Sequence, residues 1–386
     1  MIKDNILVES NQNNTTNTRN SAFEILRIIS IIFVVASHFA TWGEFDFTRL
    51  ETSTVVIINS AILTLYTSLG TVGVIFFVLI SSYFLSDGRK FQIRRVLLLL
   101  LEMLTFSIIL GITFFVVLKK EFILSNLTSI FFPFGTGLWW FMTSYLLTYI
   151  FSPIFNLAIN KMNKKANSIF VVFLLVIWSL LPTLFGLSYG TSKFAFFVLL
   201  YFIGAYIRKY DITLKLKPWL CILISVVVYL LVFAARVSIS EFVKDETELI
   251  LMVKKWIRFA DKANFIQLCC CVMTFLAFKQ INMKDLKFIN IVASTTLTTY
   301  LIHNHPDMRN FLWVKVFHVS EYIESPYLFL YSLGVVLTVV IAGTIVGIAY
   351  RYTLLKAYKK FVQWLDKKWL HQFDDAINSI SYQETN

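Results

Sequence analysis

Charge is scarce in this chain. Only 15% of its 386 residues are Asp, Glu, Lys or Arg, against 57% hydrophobic. A soluble domain carries roughly a quarter charged residues and shows amphipathic alternation, so a water-soluble enzyme of this length is excluded. Cysteine is nearly absent as well. Three of the four cysteines stand together as Cys269, Cys270 and Cys271 inside an apolar run, which fits neither a disulfide framework nor a metal spacing. They read as small buried side chains and say nothing about compartment. There is no His-Glu-x-x-His, no Gly-rich phosphate loop and no Gly-x-Ser-x-Gly elbow, so metal, ATP and dinucleotide chemistry find no support. A cleavable signal is missing too: the first apolar run starts late and lacks a small-residue cleavage pattern before a polar domain.

What the chain does have is repeated apolar runs long enough to cross a bilayer. They fall at about 25–42, 66–85, 96–118, 138–157, 168–187, 193–208, 217–236, 262–279, 287–304 and 326–349, the second with apolar character already from Thr54. The fold class expected is all-α, a polytopic membrane helix bundle of about ten transmembrane helices, multi-pass in the cell membrane. The net charge of +12 comes in short clusters between these runs, as topology signals and contacts with membrane lipids require, and not as a nucleic-acid surface. With the N-terminus inside, cytoplasmic segments hold twice as many Lys and Arg as the opposite side, which places both termini in the cytoplasm. An even number of spans agrees with that. The chain divides into a polar, disordered cytoplasmic tail (1–20), a ten-helix membrane domain (21–350) and a basic cytoplasmic C-terminal tail (351–386).

The first run carries two ionisable residues, Arg27 and His38. Such side chains are costly in a bilayer and face the protein interior. Eleven residues at about 100° each make three turns plus roughly 20°, so the two share one helix face, separated by about 16 Å along the axis. On the favoured topology Arg27 lies near the inner surface and His38 towards the outer one. Trp139 and Trp140 at the start of the fourth span, and Tyr300 and His303 at the end of the ninth, fall at the depth of His38. An aromatic, imidazole-bearing outer layer and an arginine-rich inner layer result.

At these residues the sequence resembles the integral-membrane acyltransferase-3 family. The match runs through Arg27-x10-His38; Gly70-Thr-Val-Gly73-Val-Ile-Phe76-Phe77-Val-Leu-Ile-Ser81-Ser82-Tyr83-Phe84-Leu85; the basic Arg94-Arg95 pair; Trp139-Trp140-Phe141; Gly204-Ala-Tyr206-Ile-Arg208; and Ser294-Thr-Thr-Leu-Thr-Thr-Tyr300-Leu-Ile-His303. Two positions depart from the family's pattern: Ser82 replaces a glycine, and Leu98 stands where a third basic residue often follows the arginine pair. The resemblance implies an enzyme that moves an acyl group, acetyl in the common case, from cytoplasmic acetyl-CoA or another acyl-CoA to an exported cell-surface glycan or lipid-linked glycan precursor. The chain ends at Asn386 without an appended esterase-like domain, so transfer to the final acceptor is expected within the membrane domain.

Such a transfer needs a base for the acceptor hydroxyl and a stabilised oxyanion. His38 is the candidate base, or a nucleophile passing through an acyl-imidazole. Arg27 is expected to bind an anionic part of the donor or orient its carbonyl, or else to anchor the helix end. Arg94 and Arg95 suit the phosphates of CoA and equally serve as topology signals. Trp139, Trp140, Tyr300 and His303 are candidates to line the acceptor path, although aromatic belts occur at every membrane interface. Glu102, inside the third span, calls for a cationic partner, Arg27 or another inner basic residue. Glu44 and Asp46, just beyond His38, read as loop charge unless the loop folds back on the imidazole, and His305 reads as loop. A glycolipid or polysaccharide transporter and a catalytically silent membrane partner remain as other readings, although no inverted repeat or matched pair of broken helices is evident.

Overall fold

The computed structural model describes residues 21–45, 53–87, 90–117, 124–187, 192–242 and 264–382. The 1–20 tail, Asp46, Arg89 and most of the charged loop 237–261 lie outside the described residues. Among those described there are helices and no strands: α1 (Ser21–Trp42), α2 (Thr54–Leu85), α3 (Ile93–Val117), α4 (Leu124–Phe131), α5 (Trp140–Lys161), α6 (Lys164–Phe185), α7 (Lys193–Lys209), α8 (Pro218–Phe242), α9 (Phe265–Gln280), α10 (Lys287–Ala293), α11 (Thr296–His303), α12 (Pro306–Asn310), α13 (Leu328–Tyr352), α14 (Leu354–Leu365) and α15 (His371–Tyr382). Seven of them (α1, α2, α3, α5, α6, α8 and α13) are long and apolar enough to cross a membrane. The described parts of the ten expected apolar runs lie mostly on helical segments, but α7 and α9 are short and the run 287–304 is broken.

That break has a local cause. Ser294 Oγ, Thr295 Oγ1 and Thr296 Oγ1 donate to the carbonyls of Ile291, Val292 and Ala293 at 2.6, 2.7 and 2.9 Å. Side chains that bond backbone carbonyls compete with the helical ladder, and three in a row divide the expected span into α10 and α11. The second run, by contrast, begins early. α2 extends over 32 residues, about 48 Å at 1.5 Å per residue, so it is tilted or projects beyond a hydrocarbon layer of about 30 Å.

The core is organised on α1 and α2, which pack along most of their length. Without a hydrophobic driving force between helices in lipid, close approach through small residues holds such pairs together. A Cβ on Gly73 would stand 2.5 Å from the backbone oxygen of Ser30, so the two backbones meet there. On the other side of α2, α7 approaches at Gly204, where a Cβ would stand 2.8 Å from Cβ of Ser82. The glycine that position 82 lacks is thus matched by one on the facing helix, and Ser82 Oγ is turned back on its own backbone, donating to Val78 O at 2.7 Å. The helix contact survives the departure at Ser82.

Ends of the helices are tied by polar contacts. Arg208, near the end of α7, donates to Asp87 just past α2 and to Tyr83 OH at 3.0 Å, with its guanidinium 4.9 Å over the Tyr83 ring. Lys279 of α9 reaches Asp211 at 2.5 Å, and its ammonium holds that carboxyl below the usual carboxylate range. Both pairs lie at the end of the bundle where α1 begins. At the opposite end, Asn59 Nδ2 of α2 donates to the carbonyls of Ile323 and Ser325 at 2.7 and 2.9 Å.

Candidate active site

Two helices distant in sequence create the centre of the site. α1 carries His38 and α11 carries His303, with His38 Nδ1 and His303 Nε2 at 2.8 Å. His303 Nδ1 lies 2.5 Å from the carbonyl oxygen of Thr299, one turn earlier on α11. A carbonyl oxygen only accepts, so His303 carries its hydrogen on Nδ1 and, when neutral, presents a bare Nε2. His38 must then donate from Nδ1, which leaves His38 Nε2 as a lone pair with no assigned partner in this chain of bonds. His303 is 1% exposed, while His38 is partly accessible. The outer imidazole faces a cavity and the inner one holds it in a single tautomer.

The cavity is about 1390 Å³ and is lined from the histidine end by His38, Trp140, Phe141 and Tyr300. Towards the start of α1 its lining becomes cationic: Arg27, Arg95, Arg208, Lys279, Lys287 and Arg351, against the carboxylates Glu24, Asp87, Glu102 and Asp285. Drug-sized ligands occupy roughly 300–1,000 Å³, so this space has room for something larger. Tyr300 lies 6.4 Å from His38, ring centre to ring centre; its hydroxyl is buried, with Asn304 and the Phe141 backbone in reach. Leu98 is part of the wall, so the position that lacks the third basic residue supplies apolar surface instead.

The expected site residues separate on this geometry. Arg27 and His38 line the same cavity, as their shared helix face requires. Arg27 is paired with Glu24, three residues earlier, at 3.0 Å, and not with Glu102. Glu102 instead accepts a hydrogen bond from Thr298 Oγ1 at 2.8 Å and lies within electrostatic reach of Arg351. Of the arginine pair, Arg95 lines the cavity and Arg94 does not; both donate to Gln92 Oε1, at 2.9 and 3.3 Å.

Trp140 is in the wall, with Lys193 Nζ 5.0 Å over its ring. Trp139, expected to line the acceptor path, is 0% exposed and stands edge-on to His305 at 5.8 Å. Trp139 therefore belongs to the packing. Trp139→Ala is expected to cost about 3 kcal/mol of stability and to leave the activity of the folded fraction near normal, which thermal unfolding in detergent and a rate per folded molecule check together. His305 is not plain loop: its Nδ1 accepts from the Asp307 backbone N–H at 3.3 Å and caps α12. Glu44 does not orient His38; it accepts from Asn310 Nδ2 at 3.3 Å.

Residues 20–347 match the family model described as an acyltransferase domain. The chain belongs to the acyltransferase-3 family. No curated protein and no solved structure matches it. The matched region runs from the start of α1 into α13 and contains both histidines and nearly all of the cavity lining. Among the described residues of this membrane acyltransferase, seven helices are long and apolar enough to span a bilayer, and no cluster of three His, Cys, Asp or Glu is placed to hold a metal ion.

Several cavity residues of the acyltransferase escape a reading by linear pattern. Lys279, Lys287 and Arg351 count in sequence only as charges at helix ends, and their convergence with Arg208 on one cavity is a property of the packing. A signal did exist for Glu24: Glu24-x2-Arg27 is the i,i+3 spacing at which opposite charges meet on a helix.

Proposed function

We propose that this acyltransferase moves an acyl group, acetyl in the favoured case, from acyl-CoA to a hydroxyl of an exported cell-surface glycan or of its lipid-linked precursor. The observation that carries the reading is one continuous cavity with a bare imidazole nitrogen at one end and a cationic lining at the other. The nucleotide phosphates of CoA suit the lining of Arg27, Arg95, Arg208 and Arg351, since guanidinium forks match phosphate oxygens. On the positive-inside argument that end is cytoplasmic, and the cell membrane is the natural location.

The pantetheine arm would then carry the thioester along the cavity to His38. His38 Nε2 takes the proton from the acceptor hydroxyl as its oxygen attacks the thioester carbonyl carbon. The carbonyl π pair moves to oxygen, where the Tyr300 hydroxyl on the cavity wall would donate to it. Collapse re-forms the carbonyl and breaks the C–S bond, the sulfur leaving with the electron pair and recovering the proton from His38. The ester product and free CoA thiol balance the reaction. His303 acts through His38: its Nε2 accepts from the His38 Nδ1–H and supports the imidazolium formed at the moment of attack. Trp140 and Tyr300 would hold the sugar ring by stacking.

The test is transfer from radiolabelled acetyl-CoA supplied to vesicles containing the enzyme and an acceptor fraction from the native envelope. Label in the glycan is the expected result. Glycan crossing the vesicle membrane without consumption of CoA would replace this reading by a transporter, and neither transfer nor transport with a verified acceptor would indicate a silent membrane partner. Within the same assay His303→Phe, which keeps a ring but removes the acceptor, is expected to slow transfer by about ten- to a hundredfold, as loss of the groups that orient functional imidazoles does elsewhere. His303→Gln, which restores an acceptor, should recover part of that loss.

A further inference from the structure

The family match stops at residue 347, inside α13, yet the chain continues into α14 and α15. α14 reads Leu-Leu-Lys-Ala-Tyr-Lys-Lys-Phe-Val-Gln-Trp-Leu, and at 100° per residue it has three faces rather than two. Leu355 and Val362, seven apart, are buried against the bundle. Leu354 and Phe361, also seven apart, form with Trp364 a second apolar strip that nothing among the described residues covers: Phe361 is 51% exposed and Trp364 52%. The third face holds Lys356, Lys359 and Lys360, and α14 contains no acidic residue. The following turns repeat the combination, with Lys367 and Lys368 beside the exposed Trp369 and Phe373. Lys368 Nζ lies 4.2 Å over the Trp364 ring.

Three features identify what covers this strip. First, only Thr353 separates α13 from α14, so α14 begins where a membrane-spanning helix ends. Second, the uncovered strip continues the outward face of α13, where Leu337, Ile341 and Ile345 are exposed, through Tyr352 at the turn. Third, tryptophan and phenylalanine flanked by lysine suit the zone between headgroups and acyl chains, where rings enter the apolar boundary and ammonium groups reach the phosphates. We propose that α14 lies in the plane of the membrane surface and binds anionic lipid headgroups through Lys356, Lys360, Lys367 and Lys368, with Phe361 and Trp364 inserted beneath them.

The placement has a consequence for the cavity. Leu355 lines it beside Arg351, so the buried face of α14 is part of the cationic end. α15 is tied to the start of α3: Asn378 accepts from the Phe91 N–H at 2.8 Å and donates to the Phe91 carbonyl at 3.1 Å, and Asp374 accepts from the Ile93 N–H at 2.7 Å. Headgroup binding thus steadies the wall that carries Arg95 and Arg351.

The experiment places the full chain in lipid nanodiscs of phosphatidylcholine alone, or of phosphatidylcholine mixed with phosphatidylglycerol, and follows amide hydrogen exchange over 354–373. Exchange should be slower in the anionic discs, each lysine near the surface contributing about fivefold to retention of the helix. The combined variant Lys356→Gln, Lys360→Gln, Lys367→Gln, Lys368→Gln should abolish the difference between disc types while exchange in neutral discs stays as in wild type. Equal exchange of wild type in both disc types would overturn the proposal. So would a lipid effect that persists in the variant. Protection that depends on the number of chains per disc would assign the strip to a second copy and overturn it as well.

Discussion

His38→Ala is expected to lower acyl transfer by about 10³-fold or more while the protein inserts at normal levels. General-base catalysis by a positioned imidazole contributes roughly 10²–10⁴-fold, and in the proposed mechanism the same side chain also holds the acceptor hydroxyl. The loss should appear in the rate at saturating donor and leave the affinity for acyl-CoA unchanged, because the cationic end of the cavity lies along α1 from His38. Arg27→Ala gives the converse pattern: weaker donor binding, with a smaller change in the rate at saturation. The pair is measured by initial rates of label transfer at varied acetyl-CoA, alongside a CoA-binding measurement on the His38→Ala protein. Wild-type rates in His38→Ala would remove the imidazole from the mechanism. Unaltered donor binding in Arg27→Ala would reduce that arginine to a structural partner of Glu24.

Gly73→Leu is expected to leave little correctly folded protein. A Cβ at this position meets the Ser30 backbone oxygen at 2.5 Å and Cγ2 of Val34 at 3.0 Å, and backbone cannot rotate out of the way as a side chain does. Even alanine forces α1 and α2 apart, at a cost towards the upper end of the roughly 1–3 kcal/mol typical of overpacking; leucine adds three more carbons to the same crossing. The damage reaches the site because α1 carries both Arg27 and His38. Thermal stability in detergent should fall in the order wild type, Gly73→Ala, Gly73→Leu. The conservative pair Gly334→Ala, at a glycine with open space around it, should be close to neutral. Equal stability of all four proteins would show that the α1–α2 crossing has slack.

Helical periodicity made part of the site legible from sequence. Arg27 and His38 sit eleven residues apart on one uninterrupted helix, so their common face follows from arithmetic. The depth argument also brought Tyr300 and His303 to the level of His38, although nothing local to either histidine indicates the 2.8 Å contact between them. Neighbouring residues were harder. Trp139 and Trp140 differ completely in environment because Trp139 precedes the helix, with φ −119° and ψ 91°, and helical phase does not extend to it. Arg94 and Arg95 differ by a 100° rotation at a helix start whose orientation is set by α15, nearly three hundred residues later. Hydropathy likewise treats Ser294, Thr295 and Thr296 as mildly polar points in a run, whereas their hydroxyls act on the backbone and end one helix before another begins.

The relay from His38 through His303 ends on the peptide carbonyl of Thr299 and not on a carboxylate. With both imidazoles neutral, as the proposed mechanism requires, it carries no formal charge. A relay closed by an acid would keep a permanent anion in a medium that solvates ions poorly, and that anion would need a buried counterion in turn. A carbonyl terminus avoids both, and in the proposed mechanism it confines full charge separation to the brief interval in which His38 holds a proton. The transmembrane electric field then has no standing charge in the relay to act on.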